Sequence, residues 1–521
     1  MIREPQCPPP RPEATEVLLV SPWLEPVNVS PTFQILREEL SHVARPVTRA
    51  RLAAMLPPDE VDRYADLFRY AGRIPVSLGI LSIATWLNQN GFPAAYLPLQ
   101  VAREDAGNEE CWLEKTLEKA LAGPELRVIG FGALTNEIPL VEQACRVVRK
   151  LRPDLPIALG GPHVTFRPHE LLGEGLVDIV VRSEGELPML RIAERVRSNL
   201  DLAGIPSTTV LRDGRPISFP GDGPADLSTL PLPRYDLAGT GDRGIYYGMY
   251  TRSCPNRCAH CVDGRLFPGP LRSYPPARLL DSLEALADQT GWRFIHLADS
   301  SFGASRETVA ELCDELERRP ARFLFSVNAR PDLHRTLGAD LIRRLRAAGF
   351  IEFLIGAESG SDRILKSQGR GHTVEDLIAT LTLLRDCGVP LASTYWMVGL
   401  PFEDIEDIAA TILLQRRLLD EDLTHFATSK PFIPVPGTSP FEHPEAWGIE
   451  IVSTDWSLYA RYGQPLPYRH SRLSAGEIES AVLLMQSIMV GAFQRRAGER
   501  KYDLAGLRAR MENSYERAVY L

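Results

Sequence analysis

The stretch Tyr250-Thr-Arg-Ser-Cys254-Pro-Asn-Arg-Cys258-Ala-His260-Cys261 decides how the rest of the chain is read. Its three cysteines, spaced C-x3-C-x2-C, follow an alternating run from Ile245 to Thr251 that reads as a strand. A loop after that strand brings three thiolates into one small volume. Soft thiolates are the ligands that iron–sulfur clusters select, and three of them bind a four-iron cluster while leaving its fourth iron open to chemistry. The rival is a structural Cys3His zinc site with His260 as the fourth ligand. Structural zinc motifs usually arrive as two separated pairs, and no second C-x2-C exists in this chain.

The 521 residues are too many for one ordinary core, so two or three domains are expected. An apolar content of 44% and a charged content of 24% are those of a globular protein. With a net charge of −9 and no dense lysine or arginine run, a nucleic acid substrate is disfavoured. Of eight cysteines, those outside the triplet are isolated, and Cys145, Cys313 and Cys387 sit in helical patterns where cysteine is a small core residue. The opening MIREPQCPPPRPEATE lacks the apolar core of a signal peptide, and no run approaches the length of a membrane span. No membrane association and a reducing cytoplasm are therefore the expectation.

Upstream of the cysteines, strands at Glu16 to Val20, Ala94 to Leu97, Arg127 to Phe131, Pro156 to Leu159 and Val177 to Val181 alternate with helical patterns. Five apolar strands separated by helices predict an α/β doubly wound parallel sheet over 1–205, with ligands at the carboxyl ends of its strands. Those ends read Ser21-Pro22, Gly132-Ala-Leu-Thr135, Gly160-Gly161-Pro-His163 and Arg182-Ser-Glu184-Gly185-Glu186. Glycine there admits close approach of a bulky ligand, and Thr135 offers a donor to a phosphate or amide, although each segment taken singly also reads as an ordinary turn. Residues 31–73 interrupt the alternation as a charged helical insertion, and 206–243 read as a hairpin with an Asp213-Gly214 turn followed by a proline-rich linker. From 244 to 438 a second alternation of six strand–helix units predicts a partial (β/α)6 barrel like an open TIM barrel. The mixed C-terminal region, 439–521, carries aromatic segments around Trp447 and Trp456 suited to closing the barrel over substrate, and a long packing helix from Glu477 to Arg496.

The cysteine spacing resembles the signature of the radical S-adenosylmethionine (SAM) enzymes, in which the open iron is chelated by SAM. The family usually carries an aromatic residue before the last cysteine; here His260, also planar, would flank the adenine. The resemblance implies further SAM contacts at the strand ends. Asp299 would face the amino group, with a helix cap as its ordinary alternative. Ser326 and Arg330 end the third strand, Arg330 facing the SAM carboxylate or else a structural ion pair. Glu358, in the family's E-S-G-S stretch, would bind a hydroxyl or the ammonium.

Ile129-Gly-Phe-Gly, Leu159-Gly-Gly-Pro-His163 and Asp178-Ile-Val-Val-Arg-Ser-Glu-Gly-Glu186 together resemble the flavodoxin-like cobalamin-binding domain that precedes the radical SAM domain in one large subclass. Ser21, Pro22, Thr135, Gly160, Gly161, His163, Glu184 and Gly185 are its candidate cobalamin contacts. The D-x-H-x-x-G motif that supplies a histidine to cobalt is absent, so His163 is expected to shape its loop or touch the corrin rather than ligate. Taken together, the resemblances imply a [4Fe–4S] cluster, SAM and cobalamin as cofactors, an external low-potential electron donor, and a small-molecule or peptide substrate. The activity they imply is methylation of an unactivated carbon, as in natural-product biosynthesis, with a non-methylating cyclisation, ring contraction, dehydration or oxidation as the alternative. No side chain is singled out as catalytic. A tRNA methylthiotransferase would want additional N-terminal cysteines and a basic tail, and a cobalamin carrier would leave the three cysteines unused.

Overall fold

A computed structural model describes residues 15–24, 74–101, 109–240, 244–319, 323–460 and 465–496. The insertion expected at 31–73 and the end of the C-terminal region lie outside them.

The first strand, Val17–Leu24, opens on a continuous apolar run buried on both faces, as a central parallel strand requires. It pairs in parallel with Ala94–Val101 on one side and Val128–Gly132 on the other, and Ile157–Gly160 and Ile179–Val181 extend the sheet. In chain order these five strands lie 2-1-3-4-5, the doubly wound order that opens a crevice between the first and third. Helices Leu78–Gln89 and Glu186–Arg197 cover one face, and Glu109–Leu121 and Ile138–Leu151 the other.

The hairpin Thr208–Arg212 and Arg215–Ser218 turns at Asp213 and Gly214, both at positive φ. It is not a separate module, because Thr208–Arg212 pairs antiparallel with Ile179–Val181 and enlarges the sheet to seven strands. The proline-rich segment after it is packed rather than free: Leu227 and Leu230 are buried against Tyr274, and Arg278 donates to the Leu230 carbonyl at 2.7 Å.

The second sheet is six-stranded and wholly parallel, in sequence order: Tyr247–Gly248, Phe294–Phe302, Leu324–Ala329, Phe350–Glu358, Leu391–Val398 and Phe426–Pro431. Its first member departs from the expected Ile245 to Thr251 run, which divides among three partners. Gly244–Ile245 pairs with Ile74–Pro75 of the N-terminal half, Tyr247–Gly248 joins the barrel, and Thr251–Arg252 pairs antiparallel with Arg272–Ser273. At Gly248 a Cβ would lie 2.8 Å from Leu297, so glycine lets the short strand press against its neighbour. One apolar core runs without a break from Leu19 and Leu81 through Tyr235 and Tyr246 to Leu297 and Phe353.

Helix Ala475–Arg496 is long and apolar enough by composition to cross a bilayer, which corrects the expectation that no segment would be. More than half of its apolar window is buried: Gln486 donates to the Ser429 carbonyl at 2.7 Å and Phe493 packs on Phe426, so the helix shields the last strand of the barrel.

Candidate active site: two cavities with a common wall

The cysteine loop is fixed from both ends. Ser253 takes a left-handed φ of +80°, and Asp299 accepts the Tyr250 and Thr251 N–H groups at 2.8 and 3.1 Å and the Thr251 hydroxyl at 2.7 Å. Farther on, the Ala259 N–H reaches the Gln368 carbonyl at 3.0 Å and the Ala259 carbonyl accepts from Ser439 N–H at 3.1 Å. A Cβ at Gly264 would meet the Asn256 carbonyl oxygen at 2.3 Å, so only glycine lets the loop fold back on itself there.

Cys254, Cys258 and Cys261 open on one cavity of about 710 Å³ at the carboxyl ends of the barrel strands. Among the described residues no three His, Cys, Asp or Glu side chains converge as ligands of a single ion would, whereas three thiols spread around a cavity wall suit a larger cluster. Burial pushes the Cys261 thiol up to about 12, so without a metal to displace its proton it stays a thiol. Arg330 and Arg370 hold guanidinium nitrogens 3.9 and 3.6 Å from Cys258 Sγ and make that part of the wall cationic.

His260 also lines this cavity; burial, and then the Arg370 charge, lower its pKa to about 3. It is therefore a neutral ring, and its buried Nδ1 has no partner among the described residues. Glu358 ends its strand at φ +63°, a strained position for a side chain of its size, and stands 3.3 Å from Arg370 on the same wall. Arg330 pairs with Asp332 at 3.0 Å and still lines the cavity.

Two SAM candidates fall elsewhere. Asp299 does not line the cavity: it is fully buried behind the cysteine loop, where burial raises it to about 6 against three donors. Ser326 is buried in the barrel interior and bonded to His296 Nδ1 at 3.1 Å. Replacing Asp299 by alanine orphans three buried donors. Each costs about 1–3 kcal/mol, and the expected outcome is a lowered thermal midpoint together with weaker iron retention.

The second cavity, of about 540 Å³, lies at the crevice of the doubly wound sheet and gathers Ser21, Pro22, Gly160, Gly161, Glu184 and Gly185. It is walled by backbone at several points: a Cβ at Gly132 would lie 2.7 Å from Ile80, at Gly185 2.6 Å from Ile83, and at Gly161 2.4 Å from the Ala133 carbonyl oxygen. Each of these glycines is demanded by the protein's own packing, which closes that stretch of the cavity wall without an intervening side chain. Gly161 also stands at φ +114°, so Gly161→Ala is expected to strain the rim by about 1–3 kcal/mol and to weaken cobalamin binding in a spectroscopic titration.

His163 and Thr135 do not line this cavity. The buried His163 ring meets Thr135 Oγ1 at 3.3 Å and Glu170 Oε2 at 3.2 Å and packs edge-on against Trp456, so it locks its loop to the C-terminal region, and Thr135 is its partner there. Tyr459, from the same C-terminal segment, lines the thiol cavity, whereas Trp447 packs on Phe402.

Leu134 and Glu137 line both cavities. The short turn Thr135–Glu137 places them there, with the Glu137 carboxylate accepting the Leu134 N–H at 2.8 Å. Sequence reasoning quoted the strand end Gly132-Ala-Leu-Thr135 without singling out Leu134, and passed over Glu137 and also Arg370, which is flanked by the positive-φ glycines Gly369 and Gly371.

Residues 249–414 fit the Radical SAM superfamily and residues 66–193 the B12 binding domain. The chain belongs to the radical SAM superfamily. Within it, the cobalamin-binding domain ahead of the barrel makes it a cobalamin-dependent radical SAM enzyme, and its cofactors are a [4Fe–4S] cluster, SAM and cobalamin.

It is 24% identical over 353 residues to the uncharacterized methyltransferase PH0819 of Pyrococcus horikoshii, covering 66% of this chain and 74% of that protein. It is 25% identical over 414 residues to the anaerobic magnesium-protoporphyrin IX monomethyl ester cyclase of Rubrivivax gelatinosus, covering 75% of this chain and 72% of the cyclase. The radical SAM methyltransferase TsrM from Kitasatospora setae, solved with cobalamin and a [4Fe–4S] cluster, shares the fold at a TM-score of 0.60 and 18% identity, over 84% of this chain and 80% of TsrM. The chain spans about half, 52%, of another solved structure of this fold, the cobalamin-dependent enzyme OxsB.

Proposed function

We propose that this enzyme transfers a methyl group from SAM to an unactivated carbon of a small metabolite or peptide, in the reducing cytoplasm and within natural-product biosynthesis. The observation that carries the reading is the wall at Leu134 and Glu137, which separates the thiol-lined cavity from the glycine-lined one by the thickness of a single turn. When bound, the cofactors supply a reductively cleaved sulfonium and a methyl group transferable to carbon.

The chain's own residues bind, orient and exclude water. Cys254, Cys258 and Cys261 would hold the cluster, and Arg330 and Arg370 beside Cys258 would receive the SAM carboxylate. Glu358 offers its carboxylate to the ammonium or a ribose hydroxyl, and His260 its neutral ring to the adenine. Tyr395, Phe432, Ile433, Val435 and Tyr459 form an apolar wall that keeps water from the reacting carbon. Ser21, Pro22, Gly160, Gly161, Glu184 and Gly185 would cradle the corrin.

Reconstituted enzyme incubated anaerobically with methyl-labelled SAM, a low-potential reductant and candidate substrates is expected to yield 5′-deoxyadenosine, S-adenosylhomocysteine and a labelled product. The relative named as a cyclase supports a second reading, a non-methylating reaction in the same cavity. Deoxyadenosine formed with substrate conversion but no label transfer would select that reading.

A further inference from the structure

Beside the corrin cavity opens a smaller pocket of about 320 Å³, and the two share Ser183, Glu184, Glu186, Leu266 and Phe267 as a common wall. Four arginines line it: Arg182, Arg191, Arg265 and Arg272. Arg191 is offset by Asp222 at 3.1 Å and Arg272 by Glu184 at 2.7 Å, while Glu186 is already taken by Arg252 at 2.6 Å.

Arg182 and Arg265 have no carboxylate partner among the described residues. Arg182 donates one N–H to the Phe219 carbonyl at 2.6 Å, and its buried Nε has no partner among the described residues. Arg265 donates to the Gly437 carbonyl at 2.6 Å and to the Ser439 hydroxyl. Burial with nothing to offset it pulls the Arg182 pKa below its ordinary value. A guanidinium desolvated in this way is stabilised by an anion, and planar N–H forks match phosphate oxygens. Gly221-Asp222-Gly223 also line the pocket, and the Asp222 carboxylate there is engaged by Arg191.

We propose that Arg182 and Arg265 form an anion subsite for a phosphate ester. Its occupant is the phosphodiester in the nucleotide tail of cobalamin, because the pocket shares a wall with the corrin cavity; a phosphorylated substrate carries the same chemistry. The assignment of the occupant rests on the corrin reading of the larger cavity.

The test is a spectroscopic titration of the anaerobically reconstituted enzyme and of its Arg182→Gln/Arg265→Gln variant with cobalamin and with cobinamide, which keeps the corrin but lacks the nucleotide tail. Cobalamin is expected to bind the variant roughly tenfold or more weakly, with cobinamide binding unchanged. Unchanged cobinamide binding also shows that the variant is folded. Inorganic pyrophosphate, followed as a rise in thermal midpoint, supplies a separate arm. If pyrophosphate stabilises the native protein but not the variant while cobalamin binds both alike, the phosphate subsite stands and its occupant is a phosphorylated substrate. The proposal is overturned if the variant weakens both corrins equally, or if neither cobalamin nor pyrophosphate distinguishes it from the native protein. Native enzyme that binds neither corrin would refute the corrin reading instead, and pyrophosphate would still test the pocket.

Discussion

Alanine at any one of Cys254, Cys258 and Cys261 is expected to leave the anaerobically purified protein without its iron and to reduce SAM cleavage to background. The three thiols open on the same cavity, and each would supply a third of the protein ligands proposed for the cluster. Among the described residues no other thiol lines the cavity to replace one: Cys145, Cys313 and Cys387 are buried in or at the end of helices, and burial raises their thiols above the ordinary range. Cys313→Ala is the control and should retain its iron. Iron and sulfide analysis, with 5′-deoxyadenosine measured after reduction, reads the result. Full iron content in a single-cysteine variant, or zinc in place of iron in the native protein, would sink the assignment.

Glu186→Gln carries the second large effect, on stability. Arg252 lies two positions before the first cysteine and is buried; its guanidinium binds Glu186 at 2.6 Å and the Tyr274 hydroxyl at 2.9 Å, and Ser82 donates to the same Glu186 oxygen at 2.7 Å. Glu184 approaches Arg252 at 3.4 Å and Arg272 at 2.7 Å, so the sheet and the barrel are joined by a desolvated charge network. Removing the Glu186 charge leaves buried Arg252 with only the longer carboxylate contact to Glu184, which Arg272 already holds, at a cost of about 3–5 kcal/mol. The double variant Glu186→Leu/Arg252→Met should recover most of that loss, because it removes both desolvation penalties together.

The pH dependence has a definite sign. Burial raises the Glu186 pKa, but the Arg252 charge and the hydrogen bonds from Arg252 and Ser82 outweigh it and hold the carboxyl below its ordinary value. Its contribution is therefore present above the unfolded carboxylate pKa, about 4.3, and is lost as pH falls through the folded value. The gap in thermal midpoint between native protein and Glu186→Gln should be widest near neutrality and close in acid. A gap that stays constant down to pH 3 would mean that the ion pair is not its source.

Much of the architecture was legible in the chain because it is written in local patterns. Apolar runs of strand length, helical periodicity between them and small residues at the strand ends marked both parallel sheets, and a cysteine triplet within eight residues marked the cluster loop whatever its surroundings. What local pattern could not settle was the direction in which each strand-end side chain points. Asp299, Thr135 and His163 sit at plausible ends and are turned inward to brace loops, and Ser326 turns to His296 of the neighbouring strand, while Arg370 and Glu137 reach the cavities from stretches with no motif.

The sequence by itself determined the soft-donor triplet, the two alternations and the carboxyl strand ends at which both cavities open, since these depend on residue type and short-range spacing. Only the tertiary structure decided that the two cavities share a wall, that the hairpin completes the first sheet, and that Glu186 meets Arg252 across 66 residues. Such contacts between distant segments are selected by the packing of whole elements, and no periodicity along the chain records them.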